Sequence, residues 1–198
     1  PAARRQFEQD FAGATFEGLE DLLEGSEVDA VYLATPVHGH LDQVRVLAKA
    51  GIPVLMEKPM ALTVAECQEI SQIAAEAGIH LIVGHSHSFD TPYLKTRELI
   101  EEGSVGKPRM MTALNYTDFM YRPRRPDELD TAQGGGVVFS QGAHQIDILR
   151  LLGGGWVTSV RAVTGGWDAQ RPTEGAYSAF LTFENGTVAN AVYSGYAH

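Results

Sequence analysis

Apolar residues gather early in the chain into three short, nearly unbroken runs, at residues 28–36, 52–59 and 79–84. Runs of this length without polar alternation read as strands covered on both faces. Between them the period changes. Leu41, Val44 and Leu47 recur at helical spacing up to Gly51, and Val64, Cys67, Ile70 and Ala74 do the same up to Gly78. Thr63 stands three residues before Glu66, the spacing of a capping box, and a glycine just past each stretch is a helix stop. Strand, helix, strand, helix, strand predicts parallel strands joined by right-handed crossovers.

The second half reads differently. Pro92 occupies a favoured first-turn position and predicts a helix ending near Gly103. Residues 109–116, 157–164, 177–183 and 187–193 read as strands. Tyr177, Ala179, Leu181 and Phe183 alternate with mostly polar neighbours, and Asn185-Gly186 marks a tight hairpin. One more helix, over about residues 140–152, is inserted among them. The chain is therefore expected to be α/β, with a parallel piece over residues 1–88 and an α+β piece with a mostly antiparallel open sheet over residues 89–198.

Composition narrows the function classes. A chain of 198 residues that is 44% apolar can bury real cores, so disorder is a poor reading. No stretch nears the roughly 20 apolar residues that span a bilayer. A formal charge of −10 argues against general affinity for nucleic acid or anionic membranes. The single cysteine, Cys67, fits a reducing compartment. A soluble, cytoplasmic protein is the expectation.

The unusual residues fall where a parallel sheet binds ligands, beyond the carboxyl ends of its strands. Thr35-Pro36 with His38 and His40 follows the first strand, Glu57-Lys58-Pro59 the second, and His85-Ser86-His87 the third. Each loop alone is ordinary surface polarity; three converging at one edge point to a site. Lys58, directly after a buried strand and held by Pro59, could hold a substrate oxygen and stabilise charge on it, or could be a surface lysine paired with Glu57. Further on, Ser140, His144 and Asp147 fall at i, i+4 and i+7, one polar stripe on an otherwise apolar helix. A histidine there suits proton transfer from an alcohol, with the carboxylate to orient it; the alternative is a solvated stripe or a cap by Ser140. Three glycines at 134–136 would let backbone approach a ligand closely. The basic cluster Arg122, Arg124 and Arg125 could clamp a substrate carboxylate, or be solvated or packed on a neighbouring subunit.

Together, Ala34-Thr35-Pro36 with His40, Glu57-Lys58-Pro59, Val83-Gly84, and Gly134-Gly135-Gly136 through His144 and Asp147 resemble the Gfo/Idh/MocA oxidoreductases, the family of glucose–fructose oxidoreductase and inositol dehydrogenase. The resemblance implies a Rossmann-type dinucleotide-binding domain and an α+β substrate domain, oxidation of a small-molecule alcohol by NAD or NADP, and a homodimer or homotetramer formed through the second-domain sheet. It makes Lys58 and His144 catalytic. It places Thr35, Pro36, His40, Glu57 and Lys58 at the nicotinamide end of the cofactor, and gives His87, Arg122, Arg124, Ser140 and His144 to the substrate. No metal is expected.

Two departures from the family's pattern bear on the substrate. Ser140 stands where the family usually has aspartate, and His87 where sugar-oxidising members have arginine. Both point away from a polyol, and Phe139 through His144 together with the arginine cluster look like the family's branch of dihydrodiol dehydrogenases of aromatic carboxylates, phthalate-type compounds among them. The glycine-rich turn and the residue separating NAD from NADP are expected upstream of residue 1, so the first β-α-β unit is read as missing, the sheet as stopping short, and cofactor binding by the chain alone as poor. Two rivals stand beside this reading: a metal-dependent hydrolase using His85 and His87, and a non-catalytic truncated relative.

Overall fold

The computed structural model describes residues 2–197. The chain forms two compact units, Pro1–Val83 and Gly84–His198.

In the first unit, α1 (Ala2–Phe11) and α2 (Leu19–Gly25) precede three strands, β1 (Val31–Leu33), β2 (Val54–Met56) and β3 (Leu81–Val83). The strands are parallel, in the order β1-β2-β3. They are joined by α3 (His40–Lys49) and α4 (Val64–Ala77). Leu33, Val54 and Met56 from the sheet close on Val44 and Leu47 of α3 and Ile70 of α4. The capping box at Thr63 forms as the spacing predicts: its hydroxyl accepts from the Glu66 N–H at 3.2 Å, and its own N–H donates to the Glu66 carboxylate at 3.0 Å. Gly78 then ends α4 with φ +67°, a conformation that favours glycine.

One feature of this sheet departs from its apolar pattern. Cover on both faces was predicted, yet the buried cluster with α3 and α4 occupies one face. Tyr32, Leu55 and Ile82, paired in register across the three strands, remain 43–55% exposed among the described residues. An unbroken apolar run records that both faces disfavour water; it does not say which element covers each.

In the second unit, α5 (Thr91–Glu101) starts with proline in its first turn as predicted, and β4 (Met110–Tyr116) follows. A helical segment then begins as a π turn, Val138–Gly142, and continues as α6 (Ala143–Gly153). Next come β5 (Val157–Gly165), β6 (Ala176–Phe183) and β7 (Val188–Ser194). The sheet order is β4-β7-β6-β5. β5, β6 and β7 pair antiparallel, while β4 joins β7 in parallel. The Asn185-Gly186 turn forms, with Gly186 at φ +82°. Alternation along β6 and β7 sends Tyr177, Ala179, Leu181, Phe183, Ala189, Ala191 and Tyr193 inward, where Leu149 of α6 meets them. Small residues here allow close packing: a side chain at Gly153 would lie 2.7 Å from the Phe183 ring.

Candidate active site

Each unit builds its own polar constellation. In the first unit the loops leave the carboxyl ends of β1 and β2. The Glu57 N–H donates to the Leu33 carbonyl at 2.8 Å, tying the second loop to the first. His40, fully buried, lies between the two loops: Nδ1 is 3.2 Å from the Met60 carbonyl and Nε2 3.1 Å from the Thr35 carbonyl. With both ring nitrogens on backbone, His40 braces the loops that carry Thr35 and Lys58. Thr35 is exposed and donates to the Gln43 side-chain oxygen at 2.6 Å. Pro36 is exposed beside it. The Glu57 carboxylate accepts from the Tyr32 hydroxyl and from the Lys58 N–H. The first of these bonds is the main cause that holds the Tyr32 phenol above its ordinary pKa. The Lys58–Pro59 peptide bond is cis.

In the second unit the loop directly after β3 carries His85, His87 and Ser88 through a single 3₁₀ turn, Ser86–Phe89. Its anchor is Ser88, a buried residue whose hydroxyl bonds the Asp147 carboxylate on α6. This tie brings the histidines onto His144. The His87 and His144 rings stack at 3.9 Å between centroids and 17° between planes. His85 meets His144 edge-on at 6.4 Å. Asp147, placed by the polar stripe as an orienting group, thus also ties down the loop.

Gln145, beside His144, holds α6 on the sheet. Its Nε2 donates to the carbonyls of Ala113 on β4 and Val192 on β7, both at 3.2 Å, and its Oε1 accepts from the Tyr177 hydroxyl at 2.5 Å. Burial pushes the Tyr177 phenol well above its ordinary pKa. Sequence reasoning overlooked Gln145, although a signal was present. It shares its helix face with Leu149 and Leu152, at i+4 and i+7, so a polar group stands where the period requires an apolar one.

The glycines at 134–136 do approach something closely, but it is the chain itself. A side chain at Gly135 would come within 2.6 Å of the Asp127 and Glu128 carbonyls, and Gly136, at φ +83°, faces the Glu174 carboxylate. That carboxylate accepts from the Val138 N–H at 3.1 Å and from the Thr131 hydroxyl at 2.6 Å, placing negative charge at the start of the helical segment. Ser140 falls inside the π turn, where Gln141 donates to its hydroxyl at 3.2 Å. The predicted stripe therefore does not run on an α-helical register throughout.

The arginines also have partners of their own. Arg122 pairs with Asp118 at 2.5 Å and Arg125 with Asp127 at 3.0 Å. Arg124 is largely covered, with its guanidinium 3.7 Å above the Phe119 ring and 3.1 Å from Glu128. None of the three lines the cavity that holds His144.

That cavity, about 500 Å³, lies among α5, α6 and β4. Its polar lining includes His87, Tyr93, Asn115, Gln141 and His144, with Met111 and Ile148 supplying apolar wall. A second hollow of about 560 Å³, on the β5 side of α6, is walled mainly by aliphatic residues such as Ile146, Val160 and Leu181. The first fits a hydroxylated ring, because it combines apolar surface with several donors and acceptors. Among the described residues no three His, Cys, Asp or Glu side chains come together as metal ligands.

A parallel sheet with polar loops at its carboxyl edge, followed by a mixed sheet carrying a histidine cavity, defines a dinucleotide-linked oxidoreductase architecture. Residues 1–85 match the oxidoreductase family with an NAD-binding Rossmann fold, and residues 93–198 match the GFO/IDH/MocA C-terminal domain. The chain belongs to the GFO/IDH/MocA family. It is 50% identical over 199 aligned residues to the 1-carboxy-3-chloro-3,4-dihydroxycyclohexa-1,5-diene dehydrogenase of Comamonas testosteroni, covering all of this chain and 50% of that protein. It is 31% identical to the rhizopine catabolism protein MocA of Rhizobium meliloti, over 76% of this chain and 46% of the relative. The fold superposes on the WlbA dehydrogenase of Bordetella pertussis, solved with NADH and UDP-GlcNAcA, with a TM-score of 0.85 at 27% identity, covering 100% of this chain and 57% of that one. The chain spans about half the length of the curated relatives it matches.

Proposed function

We propose that this chain is the catalytic part of an NAD-dependent dehydrogenase that oxidises one hydroxyl of a cis-dihydrodiol bearing a ring carboxylate. The observation that carries the reading is 50% identity, along the whole chain, to a dehydrogenase of a carboxylated dihydroxycyclohexadiene. Family membership favours it over the metal-dependent hydrolase built on His85 and His87.

The residues of the first unit suit the nicotinamide end of a dinucleotide. An exposed hydroxyl at Thr35 and a carboxylate at Glu57 stand at the carboxyl edge of a parallel sheet, where ribose hydroxyls and a carboxamide find partners. When bound, NAD supplies the hydride acceptor. Lys58 donates a hydrogen bond to the reacting substrate oxygen and stabilises the charge that grows there. His144 accepts the hydroxyl proton at an imidazole nitrogen. The ketone so formed rearomatises to a catechol as the proton on the adjacent ring carbon is lost and the ketone oxygen gains one, which favours the product. His40 acts through the loops rather than on the ligand.

The test is steady-state turnover, followed as NADH formation, on a cis-dihydrodiol acid with inositol as control. Lys58→Met and His144→Ala should each lower kcat by roughly 10²- to 10⁴-fold. Turnover of inositol with none of the dihydrodiol acid would sink the substrate assignment.

The same reading includes a homo-oligomer formed through the outer face of the second-unit sheet and residence in the cytoplasm. The exposed Met110, Leu114 and Tyr116 on β4 and Phe180 on β6 support the first. A single cysteine supports the second, and no helix among the described residues is long and apolar enough to cross a membrane.

A further inference from the structure

We infer that His87 is the residue that selects for the acid group of the substrate, by donating a ring N–H to its carboxylate inside the His144 cavity. The inference rests on the reading of that cavity as the substrate site. It begins with charge. A carboxylated diol brings a negative charge into the cavity, and burying an unpaired carboxylate is costly. The cavity lining contains no lysine or arginine. Arg122, Arg124 and Arg125 are paired with Asp118, Glu128 and Asp127 and line other surface. With Lys58 given to the reacting oxygen, the basic groups that remain for the acid in this lining are the two imidazoles, His87 and His144.

Geometry divides the work between them. His144 is buried beneath the stack, whereas His87 is exposed. Their planes are 17° from parallel and their centroids 3.9 Å apart, so the in-plane N–H groups of the two rings lie in neighbouring layers. A ring of substrate size can present its hydroxyl to one layer and its carboxylate to the other. The Ser88–Asp147 bond holds His87 in this place by tying its loop to the helix that carries His144. An imidazole N–H on a carboxylate is a charge-assisted bond, stronger than one between neutral groups.

Two product-like probes isolate the acid group: 3,4-dihydroxybenzoate and catechol, which differ by one carboxylate. Each is titrated calorimetrically into the 198-residue chain, with NMR of the histidine ring protons as a second readout. The wild-type chain should prefer the acid by about tenfold or more, the worth of one charge-assisted bond. His87→Phe keeps a flat ring on His144 and removes the donor. It should abolish the preference while leaving catechol affinity unchanged, and Arg122→Gln should leave the preference intact. A His87→Phe chain that still prefers the acid overturns the inference, as does equal loss of both ligands, which marks His87 as structural. If neither probe shifts the His144 ring protons of the wild-type chain, the cavity is not the substrate site, and the proposed function loses its site together with this inference.

Discussion

Gln145 shows how a single polar residue can hold a helix on a sheet. It is buried and fully engaged, with donors on two strand carbonyls and an acceptor for Tyr177. Removing it takes the acceptor from the Tyr177 hydroxyl and one donor from each of two strand carbonyls. Gln145→Ala should therefore destabilise the fold by about 1–3 kcal/mol in chemical denaturation, and Gln145→Leu by a similar amount despite its better apolar match. Glu128 gives a test by pH. The Arg125 N–H foremost, and then the Arg124 guanidinium, hold its carboxyl below the ordinary range. A depressed folded-state pKa contributes stability above the unfolded value of about 4.3, and this is lost as pH falls through the folded value. Thermal stability measured from neutral to acid pH should fall below about pH 4, and Glu128→Gln should flatten that limb. A limb of unchanged depth in the variant would refute the assignment.

Elements are positioned by their ends as much as by their faces. The capping box at Thr63 and the left-handed Gly78 were both legible in the sequence, because caps depend on residues adjacent in the chain. The segment leading into α6 was not. Its spacing suggested one continuous α-helix from Ser140 through Asp147, whereas residues 138–142 form a π turn anchored by Glu174, a residue more than thirty positions downstream. The glycines before it serve that anchor, since Gly136 adopts φ +83° against the carboxylate. Gly136→Ala should cost about 2 kcal/mol from its left-handed backbone alone. The clash with Glu174 adds to this, so its denaturation midpoint should lie well below that of the wild-type chain. A variant of wild-type midpoint would show that the loop relaxes without loss.

At the scale of the whole molecule, the second-unit sheet presents an apolar outer face that water does not favour. Met110, Leu114 and Tyr116 line β4, Phe180 lies on β6, and Trp167 follows β5 with 74% of its surface exposed. If this face joins copies of the chain, Leu114→Lys with Phe180→Glu should convert the oligomer to monomer in light scattering, with the far-UV circular dichroism preserved. An oligomer that survives both charges would place the interface elsewhere.

Periodicity, caps and turn residues by themselves determined the order of strands and helices, the parallel first sheet and the hairpin of the second, because each depends on neighbours within a few positions. Short motifs likewise marked Lys58 and His144. Tertiary structure alone decided that Asp147 bonds Ser88, that His40 braces two loops, and that the arginines are spent on nearby carboxylates. Each of those outcomes depends on which groups meet across the fold, and a side chain's partner is chosen by distance and burial that no local pattern encodes.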